Sequence, residues 1–233
     1  MKKKALILAG DHWHDPNICF ESLGQDLAAE GVEAENTSDW ESFGRYMLRD
    51  KQLFILHRDG VEFPHGRDQA SEPWMRPYQE EVIENFVLRG GGFLAFHNSG
   101  WGYPWQGAYR RTLGGYYIGH PPMEAFNVMV VNPDHPVTQG VQPFTITDEQ
   151  HWLWFDYDRV TLLLVNQGQD GRQSAAGWAY DYGLGRVVFL ANGHTLEAHS
   201  HPEFIRLKRN AIRWLLRIGE QVPTSDQLTQ ASG

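Results

Sequence analysis

Apolar runs of strand length and stretches of helical periodicity take turns along the first half of the chain. Residues 5–9, 32–37 and 53–56 read as strands, the first and third wholly apolar. Between them, residues 17–30 set Ile18, Leu23, Leu27 and Ala28 on one inner face, and residues 39–49 predict a second helix. Residues 58–72 are a polar loop, long enough to carry function. Residues 77–88 predict a helix with proline in its first turn and Val82, Ile83, Phe86 and Val87 facing inward. Repeated strand–helix order predicts a mostly parallel sheet covered on both faces, whose strands are apolar because neither face meets water.

The second half is richer in strands. Residues 126–131, 160–165, 174–179 and 186–191 are the candidates, the last two joined by a turn at Asp181-Tyr182-Gly183-Leu184-Gly185. Residues 202–218 predict the closing helix, with Phe204, Leu207, Ile212, Leu215 and Leu216 toward the core. Its basic stripe, Arg206, Lys208, Arg209, Arg213 and Arg217, reads as a solvated face. Beyond Glu220 the chain turns polar. One domain over residues 1–220 and a frayed tail over residues 221–233 are therefore expected.

One turn stands out chemically. Gly90-Gly91-Gly92 leads into Phe93-Leu94-Ala95-Phe96, and His97-Asn98-Ser99-Gly100 turns the chain sharply out again. Such an elbow aims one side chain out at the carboxyl edge of a parallel sheet, where open α/β folds bind ligands. Acyl transfer would need a thiol or hydroxyl at the tip. His97 stands there, so the chemistry is assigned to an imidazole.

Composition narrows the partners. A chain of 233 residues can bury one large core, and its net charge of −9 disfavours nucleic acid and anionic membranes, which both need a positive surface. The lone Cys19 excludes an internal disulfide and fits a reducing cytoplasm. Lys2-Lys3-Lys4 before residues 5–9 mimics a signal peptide, but the apolar run is too short, and no segment reaches the roughly 20 apolar residues of a membrane span. Gly183-Leu184-Gly185 joins two strands instead of opening a helix, so no nucleotide cofactor is expected.

Several motifs then fall in a recognisable order. They are the Gly90–His97 strand and elbow, Leu113-Gly114-Gly115 with His120-Pro121, His135-Pro136-Val137-Thr138 with Gly140, and Thr147-Asp148-Glu149. The hairpin from Trp178 to Gly185-Arg186-Val187 and Asn192-Gly193-His194 before the last helix complete the set. In these the chain resembles the ThuA-like, or trehalose-utilisation, proteins, relatives of the class I glutamine amidotransferases. The resemblance implies a flavodoxin-like three-layer α/β fold and a role in breaking down disaccharides or their keto derivatives. Two departures matter. His97 replaces the amidotransferase cysteine, so ammonia release from glutamine is not expected, and Gln150-His151-Trp152 follow the Asp-Glu pair where the family often has an aromatic residue two positions on.

Eleven histidines supply candidates for a site. Asp11-His12-Trp13-His14-Asp15 follows the first strand, and i, i+2 spacing puts His12 and His14 on one face of an extended segment. The same segment also reads as a polar loop capping the first helix through Asp15. His97 and Glu149 are the acid–base pair, with Glu149 among Trp152, Trp154, Phe155 and Tyr157, where desolvation would raise its pKa. Asp11, Trp101, His120 and Trp152 are expected to bind substrate. His12, His14 and His194 are expected to hold a divalent metal such as zinc, since neutral imidazole is a common ligand. His199 and His201 read as an exposed lead-in to the last helix, and His135 as structural.

The preferred function is a carbohydrate-catabolism enzyme moving a proton at carbon beside the carbonyl of a disaccharide or keto-sugar derivative, by isomerisation or elimination. Metal-assisted hydrolysis of a sugar derivative is the rival, and a non-catalytic sugar-binding or regulatory protein the third reading. The expected partner is a small-molecule sugar, with homo-oligomerisation left open.

Overall fold

Every side chain of strand β1 (Lys4–Ala9) beyond its first residue is fully buried, as happens only inside a sheet covered on both sides. The computed structural model describes residues 2–220, so the expectation for residues 221–233 lies outside the described residues. Helix α1 (Pro16–Ala29) begins where Asp15 accepts from the Asn17 backbone N–H and Pro16 fixes the first turn. Edge strand β2 (Glu33–Thr37) is polar and exposed, which discourages further pairing. Residues 39–49 do not form the predicted helix. Asp39 accepts from the Ser42 backbone N–H and Gly44 is fully extended, so only one tight turn, Arg45–Leu48, survives this local competition.

Strand β3 (Leu53–His57) runs one residue further than its apolar pattern suggested, carrying His57 to the sheet edge. The polar loop that follows holds a small hairpin of β4 (Val61–Glu62) and β5 (Glu72–Pro73). Helix α2 (Pro77–Leu88) leads to β6 (Gly92–Phe96), and α3 (Ala108–Leu113) follows the elbow. Then come β7 (Gly115–Gly119), β8 (Glu124–Val130), β9 (Phe144–Asp148), β10 (Trp152–Phe155), β11 (Thr161–Gln167), β12 (Gln173–Tyr182) and β13 (Gly185–Leu190). Helices α4 (Leu196–Ser200) and α5 (Pro202–Leu215) close the described chain.

The main sheet has nine strands in the order β2-β1-β3-β6-β13-β12-β11-β8-β9. From β2 to β13 the pairings are parallel, and from β13 to β9 antiparallel. This is the flavodoxin-like α/β class with an antiparallel extension. Alternation along β6 sends Phe93 to Tyr109 of α3 and Phe96 to Phe204 of α5, so helices cover opposite faces. Strands β7 and β10 pair separately over the cleft end.

The basic stripe of α5 is not a uniformly solvated face. Lys208 is fully buried and pairs with Asp26 of α1 at 2.8 Å, while Arg209 and Arg213 reach Asp26 and Glu30. These ions join two adjacent helices.

Candidate functional site

The elbow is real and strained. His97 has φ 41°, and among the described residues only it and Arg217 hold a positive φ without being glycine. Such a conformation costs on the order of 1–3 kcal/mol and needs surroundings that enforce it. Here the ring does so: His97 Nδ1 donates to the Ala191 carbonyl at 2.8 Å, beyond the end of the neighbouring strand β13. Its Nε2 is thereby turned into a cavity of about 430 Å³ at the carboxyl edge of β1, β3, β6 and β13.

Asp11, expected to bind substrate, organises the first loop and does not line the cavity. Its fully buried carboxylate accepts from the backbone N–H groups of Trp13 at 2.8 Å and His14 at 3.1 Å, and from His14 Nδ1 at 2.7 Å. The other oxygen accepts from the Asp59 N–H and the Asn98 side chain. These bonds curl residues 11–14, so the i, i+2 rule for an extended segment fails. His14 goes into the cavity wall, whereas His12 swings outward onto Trp13, Phe63 and Arg67. His12 therefore has no place among the cleft histidines.

Strand β9 delivers the acid pair. Asp148 is buried and accepts from the backbone N–H of Gly193 at 2.7 Å and of His194 at 3.2 Å, fixing the loop after β13. Glu149 points the other way, into the cavity. Its Oε2 lies 3.3 Å from His97 Nε2, 3.4 Å from His151 Nε2, 3.5 Å from His194 Nδ1 and 3.7 Å from His120 Nε2. His151 stacks on His97 at 4.0 Å between ring centres. The sequence reading passed over His151, although i, i+2 alternation from Glu149 would have found it. Trp152 falls on the opposite side, its ring beside Gly119 and under Arg172, and so does not line the cavity as expected.

Trp101 and His120 do line it, together with Trp13 and Tyr117. His120 is pinned by donation from Nδ1 to the Pro121 carbonyl at 2.7 Å. Asp59, absent from the sequence candidates, is fully buried and also part of the lining, with one carboxyl oxygen lacking any partner. His199, expected to be exposed, is fully buried; it and His57 both donate to the Gly193 carbonyl at 3.0 Å. His201 instead caps α5 by accepting from the Glu203 N–H.

The electrostatics separate the carboxyls. Burial alone would raise the Glu149 pKa, as the sequence suggested, but hydrogen bonds from His151, His194 and His97 outweigh it and hold Glu149 far below the usual range. Asp59 goes the other way, to about 7, chiefly through burial and then the nearby Asp11 charge, against weaker help from the Val61 N–H and Arg58. Burial keeps His14 and His151 neutral by lowering both, whereas the hydrogen bond to Glu149 raises His194. Tyr117 is pushed up to about 12 by burial and the Glu149 charge. His14, His97 and His194 offer ring nitrogens within 4.8 Å of one another, and His97, Glu149 and His151 form an overlapping set. The cavity thus holds a carboxyl kept far below the usual range, a second carboxyl raised to about 7, and converging imidazoles.

A flavodoxin-like α/β sheet with a histidine elbow at the carboxyl edge of its parallel strands defines the class of protein. The chain belongs to the ThuA family, described as trehalose utilisation, whose sequence model matches residues 4–215. Family membership gives it a carbohydrate-related role. No curated protein sequence matches the chain. Among solved structures, a ThuA-like protein from Parabacteroides merdae is similar with TM-score 0.74 and 15% identity, over 96% of this chain and 94% of that one. Another from Bacteroides uniformis has TM-score 0.69 and 18% identity, over 91% of each chain. A β-galactosidase from Rahnella matches 96% of this chain over 33% of its own length, with TM-score 0.62 and 17% identity, which is a likeness of fold. No helix among the described residues is long and apolar enough to cross a membrane.

Proposed function

We propose that the protein is a carbohydrate-catabolism enzyme that moves a proton at the carbon beside a carbonyl in a sugar or keto-sugar derivative. One observation carries this: an ionised Glu149, ringed by imidazole nitrogens, shares a cavity with an Asp59 that holds its proton near neutrality. Carboxyls pushed to opposite ends of the scale by their surroundings divide the work of base and acid. Trp13, Trp101 and Tyr117 supply ring faces on which a pyranose can stack, and the cavity volume of about 430 Å³ is that of a small-molecule site.

In this mechanism Glu149 takes the proton from carbon, the C–H electron pair forms a carbon–carbon double bond, and the carbonyl π pair moves onto its oxygen to give an enolate or enediolate. His194, whose second ring nitrogen is uncommitted in the lining, offers an N–H to the negative oxygen. If the hydroxyl proton on the deprotonated carbon passes to the oxyanion and Glu149 returns its own proton to the former carbonyl carbon, the outcome is isomerisation. If the C–O bond one carbon further breaks, Asp59 hands its proton to the departing alcohol and the outcome is elimination. His97 acts here chiefly by orienting Glu149, because its own Nδ1 is committed to Ala191. The single buried Cys19 supports a cytoplasmic setting.

The test is carbon-bound hydrogen exchange in D2O, followed by NMR on keto-disaccharides. Wild-type protein should exchange the hydrogen beside the carbonyl, and Glu149→Gln should slow this by about 100-fold or more. Equal exchange by the two proteins would overturn the proposal.

A further inference from the structure

His14, His97 and His194 arrive from separate loops at one sheet edge, and two of them have an outer nitrogen already committed. His14 Nδ1 donates to Asp11 at 2.7 Å and His97 Nδ1 to the Ala191 carbonyl at 2.8 Å. With Nδ1 committed as donor, such a ring binds an ion through Nε2 once that nitrogen gives up its proton. His97 Nε2 then lies 3.2 Å from His194 Nδ1 and 3.3 Å from Glu149 Oε2, and His194 Nδ1 lies 3.5 Å from the same oxygen. His14 Nε2 is buried with no hydrogen-bond partner at all.

An N–H···O hydrogen bond is about 2.9 Å long. Ligand atoms on tetrahedral bonds of about 2.1 Å stand roughly 3.4 Å apart. At 3.2–3.5 Å the triangle of His97, His194 and Glu149 is close to the second spacing, and the nitrogens of His14, His97 and His194 lie within 4.8 Å of one another. An imidazole backed by a carboxylate, with its free nitrogen turned inward, is also how proteins orient metal-binding histidines.

We propose that His14, His97 and His194 hold one divalent transition ion of the zinc type, with Glu149 beside the remaining coordination position. Imidazole nitrogen suits the borderline softness of that ion, and three protein ligands leave one position for water or a substrate oxygen. When bound, the ion would neutralise charge growing on that oxygen. Asp11 is a positioning residue for His14. His57 stands outside the set because its Nε2 donates to Gly193, and His12 because it faces Arg67. The site shares its cleft with the proposed sugar chemistry, yet it rests on nitrogen geometry alone.

Metal-free protein lacking any affinity histidines would be titrated with zinc by calorimetry, and bound zinc counted after dialysis. One zinc per chain is expected. His194→Ala and His14→Ala should each weaken binding by about 100-fold or more, and Asp11→Asn by about 10–100-fold. His12→Ala should change nothing. His194 is only half-buried, so its variant tests the site even where His14→Ala disturbs folding. Absence of stoichiometric zinc, full affinity in His194→Ala, or loss of zinc in His12→Ala would overturn the proposal. Zinc binding without substrate exchange would fault the sugar reading alone, and exchange by protein that binds no zinc would fault the metal site alone.

Discussion

Asp59 and Glu149 show how a residue's chemistry is set by what surrounds it. Both carboxyls border the same cavity, but Asp59 meets buried backbone and the Asp11 charge, while Glu149 meets imidazole nitrogens. Arg58 lies next to Asp59 yet pairs with Glu62 and the Gly10 carbonyl, so its charge is largely spent elsewhere. An acid with pKa about 7 is protonated below that value and lost above it. Hence kcat/KM for elimination should fall roughly tenfold per pH unit once pH passes Asp59's pKa, with no matching loss from Glu149 on the mildly acid side. Asp59→Asn should flatten that alkaline limb and lower the rate on substrates that need a proton delivered to the leaving oxygen. An unchanged limb in the variant would remove Asp59 from the mechanism. The residue-level reading of sequence went wrong where it judged environment from neighbours in the chain. Aromatic neighbours suggested a raised pKa for Glu149, but the groups in contact come from loops after three different strands.

Between elements, the pairing of α1 with α5 depends on a buried ion. Lys208 and Asp26 are both almost wholly inaccessible, and Lys208 also donates to Ser22 and to the His199 carbonyl. Removing Asp26 would strand a desolvated ammonium, a change that costs about 3–5 kcal/mol in comparable pairs. Asp26→Ala is expected near the lower end, because the Ser22 and His199 bonds remain. Arg172→Ala, at an exposed pair with Asp170, should stay within about 0.5 kcal/mol. Urea unfolding of the two variants measures the contrast, and equal midpoints would show that the buried pair carries no net stability. The helical periodicity of α5 was readable, but the burial of Lys208 was not. A basic stripe looks solvated until the partner helix supplies its acids.

At the scale of the molecule, the parallel half of the sheet was legible because β1, β3, β6 and β13 are buried on both faces and apolar apart from Lys4, His57 and Arg186 near their ends. That in turn located the cleft, since the segments bearing Asp11, His97 and His194 all leave such strands at one edge. Strands β7 and β9 escaped notice because they are short and half-exposed, with glycine or polar residues breaking the apolar pattern, and β10 because its four apolar residues are too few to show a period. Asp59, His57 and His199 escaped for a related reason: each is buried by long-range packing that leaves no local signature. The account's central claim is that this assembly splits two carboxyls of one cavity across neutrality. Carboxyl carbon NMR of metal-free protein, with Asp59→Asn and Glu149→Gln used for assignment, measures it directly. Asp59 should titrate with a midpoint of about 7, and Glu149 should remain ionised from neutrality down to the acid end of the folded range. An Asp59 midpoint near the ordinary value of about 4, or a Glu149 midpoint near neutrality, would contradict the account.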